Sequence, residues 1–149
     1  MKTEEIKAHI TTFLNELHVD IKNLSVELRD NSPYIDLETL DQELFMDNDK
    51  DLLRATENVL SQILSRQFEH YVRVTLDVNG QKRKEVALIE DEARKAAKEA
   101  ELSKREIKMR PMNPYERLLV HSALSDNTSI ETESVGVDIE RCVIVRYKD

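Results

Sequence analysis

Residues 112–124 read MNPYERLLVHSAL, and the interpretation of this stretch decides how the second half of the chain folds. Asn113, Pro114 and Glu116 supply an N-cap, a first-turn proline and a capping-box partner, which predicts a helix from Pro114 to about Leu124. Its apolar run is interrupted by Arg117 and His121, and helical geometry stacks residues four apart on one face. A guanidinium presents a planar, permanently charged fork to phosphate oxygens. An imidazole one turn away can donate a second hydrogen bond to the same group. Packing offers an alternative, with His121 half-buried against a strand carbonyl and Arg117 paired with a carboxylate such as Glu133.

Working outward, Ile130 to Val135 and Arg141 to Arg146 read as two strands separated by a turn around Gly136, and Glu106 to Met109 as a short strand before the helix. Lys82 to about Ser103 is helical, with Val86, Ile89, Ala93, Ala96 and Ala100 on one side. An alanine stripe requires a closely approaching neighbour. In the first half, Thr3, Glu4 and Glu5 start a helix whose apolar face is Ile6, Ile10, Phe13, Leu14 and Leu17. Leu24, Val26 and Leu28 then alternate as a strand, turn at Asn31-Ser32-Pro33, and return near Tyr34 to Leu37. A short segment ends in Leu44-Phe45-Met46. After the acidic loop from Asp47 to Asp51 comes a helix with Leu53, Thr56, Val59, Leu60, Ile63 and Leu64 in its buried stripe. Val72, Val74, Leu76 and Val78 form a strand closed by Asn79-Gly80. The order is α-β-β-α-α-β followed by α-β-α-β-β. This predicts an α+β protein with domains at residues 1–80 and 81–149, the second a three-stranded sheet with two helices.

Composition narrows the function classes. Among 149 residues, apolar types make up 40% and charged types 35%, and no apolar run approaches membrane-span length, which predicts no membrane insertion. The start, MKTEEIKAHI, lacks the basic and apolar character of a signal peptide, so the expected compartment is the cytoplasm. The net charge of −8 is unevenly spread: residues 1–70 hold 7 basic and 15 acidic side chains, whereas residues 103–149 hold 8 of each. The second half can therefore present a basic face despite the total. Cys142, the single cysteine, is expected to act as a small apolar filler. His9, His18 and His70 are scattered, and Gly80 and Gly136 cannot build a phosphate-cradling loop, so neither catalysis nor a metal or cofactor is expected.

The helix MNPYERLLVHSAL, followed by TESVG and the strand RCVIVR, closely resembles the Arg-x-x-x-His (R-3-H) domain of bacterial Jag-type (SpoIIIJ-associated) proteins. Upstream, VRVTLDVNG leading into a long charged helix resembles the end of the KH domain that precedes this module in that family, in its type II order. The resemblance implies a regulatory factor that binds single-stranded nucleic acid, usually RNA, and is tied to cell envelope growth and division. It departs from the family in three ways. The chain is expected to lack the N-terminal Jag domain and linker. The family's Gly-x-x-Gly loop, whose missing side chains admit a phosphate closely, falls on Asp47-Asn48-Asp49-Lys50, so that the KH loop is degenerate. Leu118 stands where the family often has a second arginine.

Arg117 and His121 are thus the expected phosphate contacts, with Arg110, Arg141 and Lys108 extending the positive surface and Tyr115 offering a ring for base stacking. The partner is single-stranded RNA or DNA. The rival expectation is a protein-interaction adaptor that works through the acidic first half and has lost nucleic-acid binding. The oligomeric state is not legible.

Overall fold

The computed structural model describes residues 3–148, and the chain divides into two compact units, residues 1–82 and 83–149. In the first, the order is α1 (Thr3–Glu16), β1 (Asn23–Arg29), β2 (Ser32–Glu38), α2 (Gln42–Met46), α3 (Asp51–Phe68) and β3 (Thr75–Val78), with a 3-10 turn at Asn48–Lys50. The sheet runs β1-β2-β3, with β1 antiparallel and β3 parallel to the central strand. Ile6, Ile10 and Leu14, spaced by one helical turn, share a core with Leu53, Leu60 and Leu64 of α3 and with Ile35, Leu37 and Leu76 of the sheet. Each such side chain contributes on the order of 1.5–3 kcal/mol by leaving water.

Several details depart from the sequence expectation. The hairpin turns at Asp30-Asn31, both at positive φ, and Arg29 pairs with Ser32. This two-residue connection matches strand twist. Pro33 therefore lies inside β2, at a level where β3 has not yet begun to pair, so its missing N–H breaks no ladder bond. Val59 and Ile63 are 41% and 36% exposed, because the buried stripe of α3 is Leu53, Thr56, Leu60 and Leu64 and they sit off to its side. Leu17 is exposed, lying past the end of α1. The strand expected from Val72 is paired only from Thr75. Val72 instead donates its N–H to Ser65 Oγ at 2.8 Å and accepts at its carbonyl from Ser61 Oγ. Wholly buried Asp77 accepts from the Tyr34 hydroxyl at 2.7 Å and from the Lys82 N–H at 2.9 Å. Burial, and then this carboxylate, push the Tyr34 pKa far above the ordinary phenol value.

The second unit contains most of α4 (Gln81–Ser103), then β4 (Ile107–Pro111), α5 (Pro114–Leu124), β5 (Ile130–Val135), a 3-10 turn at Asp138–Glu140 and β6 (Cys142–Tyr147). The antiparallel sheet runs β4-β6-β5. Ala93, Ala96, Ala97 and Ala100 of α4 pack with Val120 and Leu124 of α5 and with Val143 and Val145 of β6, so the alanine stripe does meet a close neighbour. Cys142 is buried. No helix among the described residues is long and apolar enough to cross a membrane.

Candidate nucleic-acid interface

The helix α5 starts where the capping chemistry places it. Asn113 Oδ1 accepts the Glu116 N–H at 2.9 Å, and Glu116 Oε2 accepts the Asn113 N–H at 2.8 Å. Just before it, the Met112 N–H donates to the Arg141 carbonyl at 2.9 Å. That bond ties the entry of α5 to the residue preceding β6, so Arg141 lies just ahead of that strand rather than on it.

Between these segments lies a groove of about 680 Å³, lined by Pro111, Met112, Asn113, Pro114, Arg117, Asp138, Ile139 and Arg141. Arg117 is half-buried, and its Nη1 donates to the Met112 carbonyl at 2.8 Å. Arg141 is exposed. Among the described residues neither guanidinium takes part in an ion pair, so both charges are available to an anion. Glu133, the carboxylate expected beside Arg117, pairs with Arg146 at 2.5 Å.

His121 faces the strand instead of the groove mouth. Its Nδ1 lies 2.7 Å from Thr132 Oγ1 and its Nε2 2.9 Å from Ser134 Oγ, so both ring nitrogens are engaged and the expected carbonyl is replaced by two hydroxyls. A hydroxyl donates or accepts as required, so these bonds serve either protonation state. Desolvation, and secondarily the charge of Arg117, hold the His121 pKa below the usual histidine value.

The other expected residues scatter. Arg110 bridges Glu92 and Glu116 at 3.1 Å each; burial works against its charge, but these carboxylates, Glu116 foremost, raise its pKa. Lys108 is paired across the sheet with Ile144, and Ile144 with Glu133, whereas Thr132 is paired with Val145 of the core. Directly paired residues share a face, so Lys108 lies on the side of the sheet opposite His121. Tyr115 is 60% exposed near the start of α5 and does not line the groove. Sequence reasoning missed Thr132, Ser134, Asp138 and Ile139. The period-two spacing of Thr132 and Ser134 inside TESVG is a usable signal for the first two.

Residues 85–147 match the family model of the R-3-H domain. The chain is also similar to an RNA-binding protein KhpB of Clostridium symbiosum, 30% identical over 96 residues, which cover 64% of this chain and 43% of that protein. A second RNA-binding protein KhpB, from Lactiplantibacillus plantarum, is 24% identical over 126 residues, covering 85% of this chain and 39% of the relative. The chain thus spans about two fifths of the length of these curated relatives.

Proposed function

We propose that this protein is a regulatory factor that binds single-stranded RNA, with Arg117 and Arg141 contacting phosphates in the groove of its R-3-H domain. The observation that carries the proposal is the placement of these two guanidinium groups, unpaired with carboxylates, in one groove. Similarity to proteins named as RNA-binding supports RNA as the polymer. In this reading His121 is a positioning residue that fixes α5 against β5 so that Arg117, one turn earlier, projects toward the strand. Tyr115, exposed near the start of α5 and outside the groove lining, is assigned to stacking on a base that leaves the groove, and Arg110 serves the scaffold.

The first unit supports a KH-like assignment by its α-β-β-α-α-β order and mixed three-stranded sheet. The loop between α2 and α3 carries Asp47 and Lys50 at the positions of the family's glycines, and Asp47 and Asp49 set two carboxylates where phosphate would approach. A carboxylate about 4 Å from a phosphate costs on the order of 1 kcal/mol in water and more when partly desolvated. We assign this half to scaffolding or protein contact.

The test is fluorescence anisotropy of a short labelled single-stranded RNA across a salt titration. The expected slope of log K against log salt is about −0.7 per phosphate neutralised, with strong weakening in Arg117→Ala. Absence of binding at physiological salt overturns the proposal and favours the adaptor function of the acidic half, and binding indifferent to Arg117→Ala overturns the assignment of the groove.

A further inference from the structure

The groove contains a carboxylate that phosphate binding does not explain. Asp138 lines it together with Arg117 and Arg141, yet its side chain forms no hydrogen bond or ion pair among the described residues. The turn that carries it is fixed: Gly136 and Asp138 both hold positive φ, the Glu140 N–H donates to the Val137 carbonyl, and the Arg141 N–H donates to the Asp138 carbonyl, each at 3.2 Å. Ile139 beside it is 91% exposed, an apolar surface at the groove edge.

A carboxylate is repelled by phosphate and accepts hydrogen bonds only. Asp138 is exposed, so in a groove that gathers a phosphodiester chain on two arginines its carboxylate is open to a donor on the ligand. Phosphates are joined by sugars, so the donor that recurs beside every phosphate of the chain, whatever its base, is the ribose 2′-hydroxyl, which DNA lacks. An acidic side chain on a 2′-hydroxyl is an established way of recognising ribose in nucleotide-binding proteins.

We propose that Asp138 is a specificity-determining residue that accepts a hydrogen bond from a ribose 2′-hydroxyl and so selects RNA over DNA. This inference rests on the RNA-binding reading of the groove. Asp138 accepts a hydrogen bond from the 2′-hydroxyl when RNA is bound and repels the backbone of DNA without compensation.

The experiment compares labelled RNA, DNA and 2′-O-methyl RNA of one sequence. It uses the unaltered protein, Asp138→Gly, which suits the positive φ, and Asp138→Asn, which keeps an acceptor oxygen. The unaltered protein is expected to bind RNA about tenfold more tightly than either strand lacking the 2′-hydroxyl proton. Asp138→Gly is expected to erase that gap, partly by gaining affinity for DNA, and Asp138→Asn to retain part of it. Equal binding of RNA and DNA by the unaltered protein, or an undiminished gap in Asp138→Gly with an unchanged circular dichroism spectrum, overturns the assignment. If Arg117→Ala still weakens both strands in that case, the RNA-binding reading survives; if no strand binds, both fall.

Discussion

His121 Nδ1 lies 2.7 Å from Thr132 Oγ1, and through this contact and its companion to Ser134 a single residue joins α5 to alternate positions of β5. Truncation in His121→Ala leaves two partly buried hydroxyls without their partner, which costs on the order of 1–3 kcal/mol. Urea denaturation, read by amide exchange in β5 and β6, should show that loss in the second unit and none in the first. The histidine pKa is depressed by folding, so the unfolded chain takes up the proton first. The contribution of His121 is fully present above its unfolded value of about 6.5 and falls as pH drops through the lower folded value. Stability measured from pH 7 to pH 5 should decline less steeply in His121→Ala than in the unaltered chain.

Gly136 is required at its position for two reasons. It holds φ at +90°, and an added Cβ would lie 3.3 Å from both Arg141 Cα and the Glu140 carbonyl oxygen. Both neighbours are backbone and cannot swing aside. Gly136→Ala should cost about 1–3 kcal/mol in thermal unfolding. It should also weaken RNA binding, because the displaced segment carries Arg141 and Asp138. An alanine variant with unchanged stability and affinity would show that the turn is not held as tightly as this geometry requires.

Local chemistry is legible in the sequence, and long-range register is not. The bounds of α5 follow from Asn113, Pro114 and Glu116 because capping is settled within four residues. The alanine face of α4 likewise announces close packing. The period-two spacing of Thr132 and Ser134 puts them on one face of β5, but that this face meets His121 depends on where β5 lies relative to α5, which no periodicity encodes, and Glu133 is matched to the wrong arginine. Asp138 and Ile139 line the groove beside Met112, whose N–H bonds to the Arg141 carbonyl, a contact between segments 29 residues apart that local pattern does not reveal. Lys108 reads as part of the basic surface, but strand alternation sends it to the far face. Leu118, where the resemblance expects a second arginine, is 59% exposed, a position at which that charge would have faced solvent.

The loop between α2 and α3 stores strain. Asn48, Asp49 and Lys50 all hold positive φ. Asparagine and aspartate tolerate this region, but for lysine it costs roughly 1–2 kcal/mol, less the entropy that glycine loses on folding. Lys50→Gly relieves this strain and should stabilise the first unit by up to about 1 kcal/mol, less whatever the Lys50 side chain's own interaction contributes, raising its denaturation midpoint. In combination with Asp47→Gly it should also raise RNA affinity, since a carboxylate is removed and the loop opened where the KH-like assignment expects a phosphate. Crosslinking of the unaltered loop to RNA would contradict that part of the assignment.

Arg110 and Arg141 are both exposed arginines of the second unit, and their surroundings predict opposite behaviour. Arg110 is held by Glu92 and Glu116, and a phosphate would have to displace carboxylates already in place. Arg141 lines the groove with no such partner. Arg110→Ala should leave the salt slope of RNA binding unchanged and lower stability by about 1 kcal/mol or less, because solvent screens its ion pairs. Arg141→Ala should weaken binding by a similar factor across RNA sequences and make the salt slope shallower by about 0.7, the effect of one lost phosphate contact on a single strand. Matched anisotropy titrations of the two variants decide the matter. If Arg110→Ala makes the slope shallower and Arg141→Ala does not, the anion path runs past the start of α5 on the Glu92 side, and the groove between α5 and the turn before β6 is not the binding surface.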